Sequence, residues 1–138
     1  MIKSSMKTST SMKDHGSFTF EQKGQLIISR AFDAWNKETA QSMCKQMYIL
    51  ANKINDKPWG ILVDLTQWEF GPPDMWEPIE DLNRWANDHN QKFEAVVCGL
   101  NIQKKLLENS QEVFREVESE FFDNEAKALQ WLAKNGIK

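Results

Sequence analysis

The chain is poor in the residues that most catalytic and metal chemistry requires. Two histidines, His15 and His89, and two cysteines, Cys44 and Cys98, are its whole supply. His15 lies in a terminal stretch without apolar pattern, and His89 falls at the end of an expected helix, where it complements the helix dipole. Asp88-His89 with Cys98 matches no metal-ligand spacing, so no metal is expected. The cysteines are far apart and each sits in an apolar pattern, which excludes a disulfide framework and fits reduced thiols packed in the core of a cytosolic chain. Six glycines are scattered without G-x-G-x-x-G or P-loop spacing, so no phosphate cradle and no cofactor are expected. Positive charge is scarce too. Three of the 17 basic residues lie in the first thirteen positions, leaving 14 against 20 acidic ones and a balance of −6 for the rest. An acidic body is a poor ligand for phosphate backbones, so nucleic acid is excluded as a partner. No run approaches the roughly eighteen apolar residues of a spanning helix, and the opening "MIKSSMKTSTSMKDH" has no apolar segment of the secretory kind. Residues 1–15 read as a disordered tail, 16–138 as one domain.

What is present is an ordinary core and an excess of tryptophan. The 138 residues are 41% hydrophobic and 27% charged, enough for one buried core, and they include six tryptophans. "GSFTFEQKGQLIISRAF" reads as a hairpin turning at Lys23-Gly24. Asn36 is placed to cap a helix in which Ala40, Met43, Met47, Leu50, Ala51 and Ile54 recur at helical spacing up to the breaker "NDKP". "WGILVDL" (59–65) and "FEAVVCGL" (93–100) are short continuous apolar runs, the pattern of strands covered on both faces. Between them Ile79, Leu82, Ala86 and His89 share a helix face, and Pro78 suits the first position of that helix. Asn101 caps a shorter helix through about Glu108, "EVESEFF" alternates into a last strand, and Asp123 caps a final helix carrying Ala126, Leu129 and Leu132, stopped by Asn135-Gly136. Strands alternating with helices predict an α/β fold with a mainly parallel sheet.

One connection stands out. "VDLTQWEFGPPDMWEP" (63–78) holds Trp68, Phe70 and Trp76 among prolines and Gly71, with no regular face on which to bury rings that bring ~150–250 Å² of surface each. The alternatives are a lid folded over the sheet's carboxyl edge, or contact with a ligand, a partner or a lipid interface. Trp59, Trp85 and Trp131 read as core, and Trp35 as packing the hairpin onto the first helix. Asp64, near the carboxyl end of a buried strand, sits where open α/β sheets bind ligands. No Ser, Cys or His is placed by the sequence as its companion, so it reads as structural, paired or capping the loop.

The order of elements, with "AFDAWNKET", "PWGILVDLTQWE", "FEAVVCG" and "FFDNEAKALQWL", resembles the small bacterial SpoIIAA-like proteins, related to STAS domains and more distantly to CRAL-TRIO lipid-binding domains. The resemblance spans residues 16–137. It implies a βα superhelix: a mixed, mainly parallel sheet of about five strands, an N-terminal antiparallel hairpin and about four helices. Anti-sigma-factor antagonists of the STAS type carry a phosphorylatable serine in an Asp-Ser-Ser-Gly-like turn. Here that stretch is "LTQWEFGPPDMW", whose only hydroxyl is Thr66, so the phosphoswitch does not carry over.

The function expected from these readings is a non-enzymatic binding domain for a lipophilic small molecule or a membrane surface. Trp68, Phe70, Trp76, Asp64 and Thr66 would form its site, with loop 66–78 as a movable cover. The alternative is a regulatory protein-interaction module docking through the same edge. Expected localisation is cytoplasmic, with peripheral membrane contact as an option. If the helices wind mainly to one side, Leu62, Val96 and Cys98 face the less-covered side, and a homodimer is expected there.

Overall fold

Turn chemistry opens the fold. In this computed structural model, which describes residues 6–7, 15–99 and 101–138, Ser17–Lys23 (β2) and Leu26–Asp33 (β3) pair antiparallel, with Lys23 opposite Leu26. Gly24 takes the left-handed conformation that closes so tight a turn (φ 56). Met6–Lys7 (β1) adds a short antiparallel pair against β2. The remainder of the expected tail, up to residue 14, lies outside the described residues. His15 donates its N–H to Thr39 Oγ1 at 2.9 Å.

Trp59–Trp68 (β4), Gln91–Val97 (β5) and Glu118–Phe122 (β6) then join in parallel, giving the order β1-β2-β3-β4-β5-β6. Each crossover carries a helix: Lys37–Ala51 (α1), Trp76–Asn87 (α2) and Asn101–Ser110 (α3), with Glu125–Lys134 (α4) closing the chain. The α/β architecture is therefore the one expected. Asn36 caps α1, its Oδ1 accepting from Thr39 N at 3.0 Å. Several boundaries differ from the sequence reading: α1 ends at Ala51, before Ile54, and Asn101 is the first residue of α3 rather than its cap. Asn124, not Asp123, caps α4 through Lys127 N (2.9 Å), and Asp123 instead pairs with the Lys127 ammonium at 3.3 Å. A 3₁₀ turn, Pro73–Met75, leads straight into α2 at Trp76. Pro78 is thus the third helical residue, where the N–H it lacks has no intrahelical partner to lose.

The sheet is covered on both sides. Ile27, Ala31, Ile61, Leu65, Trp68, Val96 and Cys98 pack with α1 and α2 and with Leu107 of α3. Leu26, Ile28, Leu62, Ala95 and Val97 pack against Ala128, Leu132 and Ile137. Cys44 and Cys98 are free, buried thiols, as expected, and burial pushes the Cys44 thiol up to about 12. The contact side of α4 is Ala128 and Leu132, whereas Ala126 and Leu129 are exposed, contrary to the helical stripe read from sequence. The patch Leu62, Val96, Cys98 does not exist either. Leu62 pairs with Ala95 and Val63 with Val96, so register places Leu62 on the α4 side and the other two on the α1/α2 side, all three buried.

The parity of β4 changes near its end. Arg30 lies opposite Asp64 but Phe32 opposite Gln67, so β4 has one residue more than β3 over this stretch. Such a bulge reverses the alternation of side chains. Trp68 consequently joins Trp59, Ile61, Val63 and Leu65 on the α1/α2 side. Beyond it the chain is pinned to the segment after β3: Trp35 N donates to Phe70 O (2.7 Å) and Glu69 N to Asp33 O (3.1 Å). The backbone excursion falls at Phe70 (φ 78), while Gly71 is needed for room, since a Cβ there would meet Trp35 O and lie 2.6 Å from Met75 Sδ. Gly71→Ala is expected to cost about 1–3 kcal/mol, the range for forced overpacking. Urea denaturation of the variant checks it, and unchanged stability would show that this contact is loose.

Candidate functional site

Between the sheet and helices α1 and α2 lies a cavity of about 80 Å³. Its floor is one face of β4, Trp59, Ile61, Val63, Leu65 and Trp68, flanked by Ser29 and Ala31 of β3. Met43 and Met47 of α1 and Ile79, Leu82 and Ala86 of α2 form the roof. Val63, Trp76 and Ile79 are the lining residues that are only half-buried, so the cavity comes nearest to solvent beside the first turn of α2.

The five residues expected to form one site fall into two groups on opposite faces of the sheet. Trp68 and Trp76 line the cavity, and Phe70 packs against them. The Trp68 ring meets Trp35, Phe70 and Trp76 edge to face at centroid distances of 6.0, 5.3 and 5.9 Å. Trp68 is 5% exposed, and its indole N–H is buried with no nitrogen or oxygen acceptor among the described residues. Residues 66–68 belong to β4 and 73–78 to the 3₁₀ turn and α2, so little of the expected loop is irregular chain.

Asp64 and Thr66 lie on the α4 side. Asp64 Oδ1 accepts from Thr66 N (2.9 Å) and Thr66 Oγ1 (2.7 Å). Next to it Arg30 holds Glu125 of α4 through Nε (2.8 Å) and Nη2 (2.9 Å), and Glu21 through Nη1 (3.1 Å). The Arg30 guanidinium, helped by Asp64, holds the Glu125 carboxyl at about 2. Burial, and then the neighbouring Glu125 carboxyl, raises Asp64. This cluster ties the start of α4 to the sheet.

The sequence reading passed over the most distinctive wall residue. Glu94 is buried in the middle of β5, and burial raises its carboxyl well above the usual range, against the opposing pull of the Gln111 and Gln91 amides. Gln111 Nε2 donates to Glu94 Oε2. Asn83, Gln91 and Ser110 line the same end, Asn83 Nδ2 donating to Ser110 O at 2.9 Å. The available signal was a lone acid inside "FEAVVCG", a run otherwise read as covered on both faces.

Comparison with known proteins places this geometry in a family. The SpoIIAA-like family profile matches residues 26–133, and the chain belongs to that family. Among solved structures it is similar to an uncharacterized DUF3478-family protein with a SpoIIAA-like fold from Shewanella loihica PV-4 (16% identity, 91% of this chain and 99% of that one, TM-score 0.66). It is similar also to the anti-sigma factor antagonist SpoIIAA in its unphosphorylated form (9% identity, 84% and 97%, TM-score 0.64). A third similar structure is an anti-sigma factor antagonist from Mycobacterium paratuberculosis (12%, 90% and 99%, TM-score 0.59). At these identities the likeness is one of fold. No curated protein matches the sequence. Among the described residues no helix is long and apolar enough to cross a membrane.

Two expectations follow from the placement. Trp68→Ala should lose about 3–5 kcal/mol, the scale of an aromatic truncated in a core, and half-buried Phe70→Ala distinctly less, as read by chemical denaturation. Asp64→Asn keeps the acceptor for Thr66 and removes one charge. With its native pKa raised above the ordinary 3.8, Asp64 favours the native state below that value and loses this contribution as pH rises. Glu125 behaves oppositely, stabilising above its ordinary 4.5 and losing this as pH falls toward about 2. Asp64→Asn is therefore expected to raise stability by about 0.5–1 kcal/mol near neutral pH, the gain fading in acid. Melting curves across pH test this, and a neutral-pH loss would show that the charge itself is required.

Proposed function

We propose that this SpoIIAA-like domain is a non-enzymatic module that binds a lipophilic small molecule in the cavity between its sheet and helices α1 and α2. The observation that carries the reading is the cavity itself, an apolar space walled by four tryptophans and approaching solvent beside Trp76. Its volume is about half of the ~150 Å³ that takes a benzene ring in an engineered core cavity, so a larger guest must push the wall outward. Met43 and Met47 suit that role, because an unbranched thioether chain repacks at little cost.

This reading moves the ligand from the outside of the aromatic segment to its inside. Residues 66–78 are not needed as a movable cover, since Trp68 is core and the chain around Phe70 is held by backbone hydrogen bonds. Membrane insertion by these rings loses its support for the same reason. Asp64, the acid that the sequence offers as a catalytic candidate, is engaged by Thr66 and Glu125 on the face opposite the cavity, which supports binding rather than catalysis through that residue.

Hexanol is a suitable first probe. It is expected to raise the melting temperature progressively with the logarithm of its concentration above the dissociation constant, by mass action, and to change tryptophan fluorescence. Ala86→Leu, which places a larger side chain on the cavity wall, should abolish both effects while leaving the far-ultraviolet spectrum unchanged. Absence of any effect in wild-type protein at saturating hexanol would sink the proposal and leave the docking of a regulatory protein as the better reading.

A further inference from the structure

The cavity is not uniformly apolar, and its polar end has a sign. Glu94 is the one ionisable side chain in the wall; no Lys, Arg or His accompanies it among the described lining residues. Each polar side chain beside it already donates one hydrogen bond. Gln111 Nε2 gives to Glu94, Asn83 Nδ2 to Ser110 O (2.9 Å), Gln91 Nε2 to Phe93 O (3.4 Å) and Ser110 Oγ to Leu107 O (2.8 Å). A guest at that end meets a carboxyl group in a low-dielectric space, whereas the buried Trp68 N–H that lacks an acceptor among the described residues lies seven residues further along β4 than Ile61, the strand partner of Glu94. Indole rings carry a quadrupole whose negative face attracts cations, and four tryptophans line the same cavity.

We propose that the cavity takes an aliphatic amine, its chain lying against the tryptophans and its ammonium group paired with Glu94. This rests on the reading of the cavity as a lipophilic site and adds the head group of the ligand. An anionic amphiphile is disfavoured by the same walls, which would bury its charge beside an acid with no cation to offset it. The direction of proton movement follows from the site. Burial raises the Glu94 carboxyl, and an ammonium ion beside it favours the carboxylate. An alkylamine arrives in water as the ammonium ion, so formation of the pair drives proton release from Glu94 to solvent. A role confined to fixing the Gln111–Val113 turn onto β5 would produce no such release and no preference among head groups.

Calorimetric titration of the full chain with hexylamine, hexanol and hexanoate near neutral pH decides the matter, run in two buffers of different ionisation enthalpy to count protons. Hexylamine is expected to bind at least ~10-fold more tightly than hexanol, within the range for a desolvated charge pair, with net release of protons. Hexanoate is expected to bind more weakly than either. Glu94→Gln should bring hexylamine down to the level of hexanol and leave hexanol unchanged; if that variant does not fold, the proton count in wild type decides. Hexanol binding as tightly as hexylamine, or amine binding without proton release, overturns the head-group assignment while leaving the lipophilic site standing. If no probe binds, both fail.

Discussion

Burial of β4 on both faces is the constraint on which the rest of the molecule depends. Its alternating side chains hold Trp59, Ile61, Val63, Leu65 and Trp68 toward α1 and α2, and Leu62 toward α4. The two helix layers lie on opposite faces of the sheet, so each is positioned chiefly through this strand and its neighbours. At roughly 1.5–3 kcal/mol for each large apolar side chain removed from water, the two layers together outweigh any single polar contact in the fold. The cavity and the ion cluster are consequences of the same arrangement, one on each side of the same strand.

That arrangement explains which parts of the sequence were legible. Continuous apolar runs at 59–65 and 93–98 announce strands covered twice, and Asn36 before a 3.6-residue repeat announces α1, because both signals are local. The side on which Trp68 falls is not local. Counting by twos from Leu62 and Asp64 puts Trp68 with them, and only the extra residue in β4 opposite Arg30–Phe32 turns it to the other face. The same limit applied to the patch drawn from Leu62, Val96 and Cys98, since which residues of two strands share a face depends on pairing register. In α4 the apolar residues offered more than one stripe, and packing against β4 and β5 selected Ala128 and Leu132.

Asp64 and Thr66 show how a site can be read from position and yet belong to the scaffold. They stand near the carboxyl end of a parallel strand, where a ligand is expected in open α/β sheets. In this chain the place is taken by the first turn of α4, whose Glu125 meets Arg30 in a two-bonded pair. A bidentate guanidinium–carboxylate contact fixes orientation as well as distance, so it sets the angle at which α4 lies on the sheet. The last helix thus occupies the edge that the sequence left open, and the cavity lies on the opposite face.

On that face the polar residues make sense as a group. A buried acid next to amides that have already given their protons is less stable than an apolar side chain of similar shape would be, and a buried indole N–H without an acceptor adds to the cost. Much of the rest of the sequence agrees with the fold: a capped helix start at Asn36, a glycine at the tight turn, apolar strands under helices. Departures from such consistency concentrate where a protein keeps a function rather than a core. Glu94 and Trp68 break the rule in the walls of one cavity, and this coincidence is a stronger argument for a ligand there than the volume of the cavity alone.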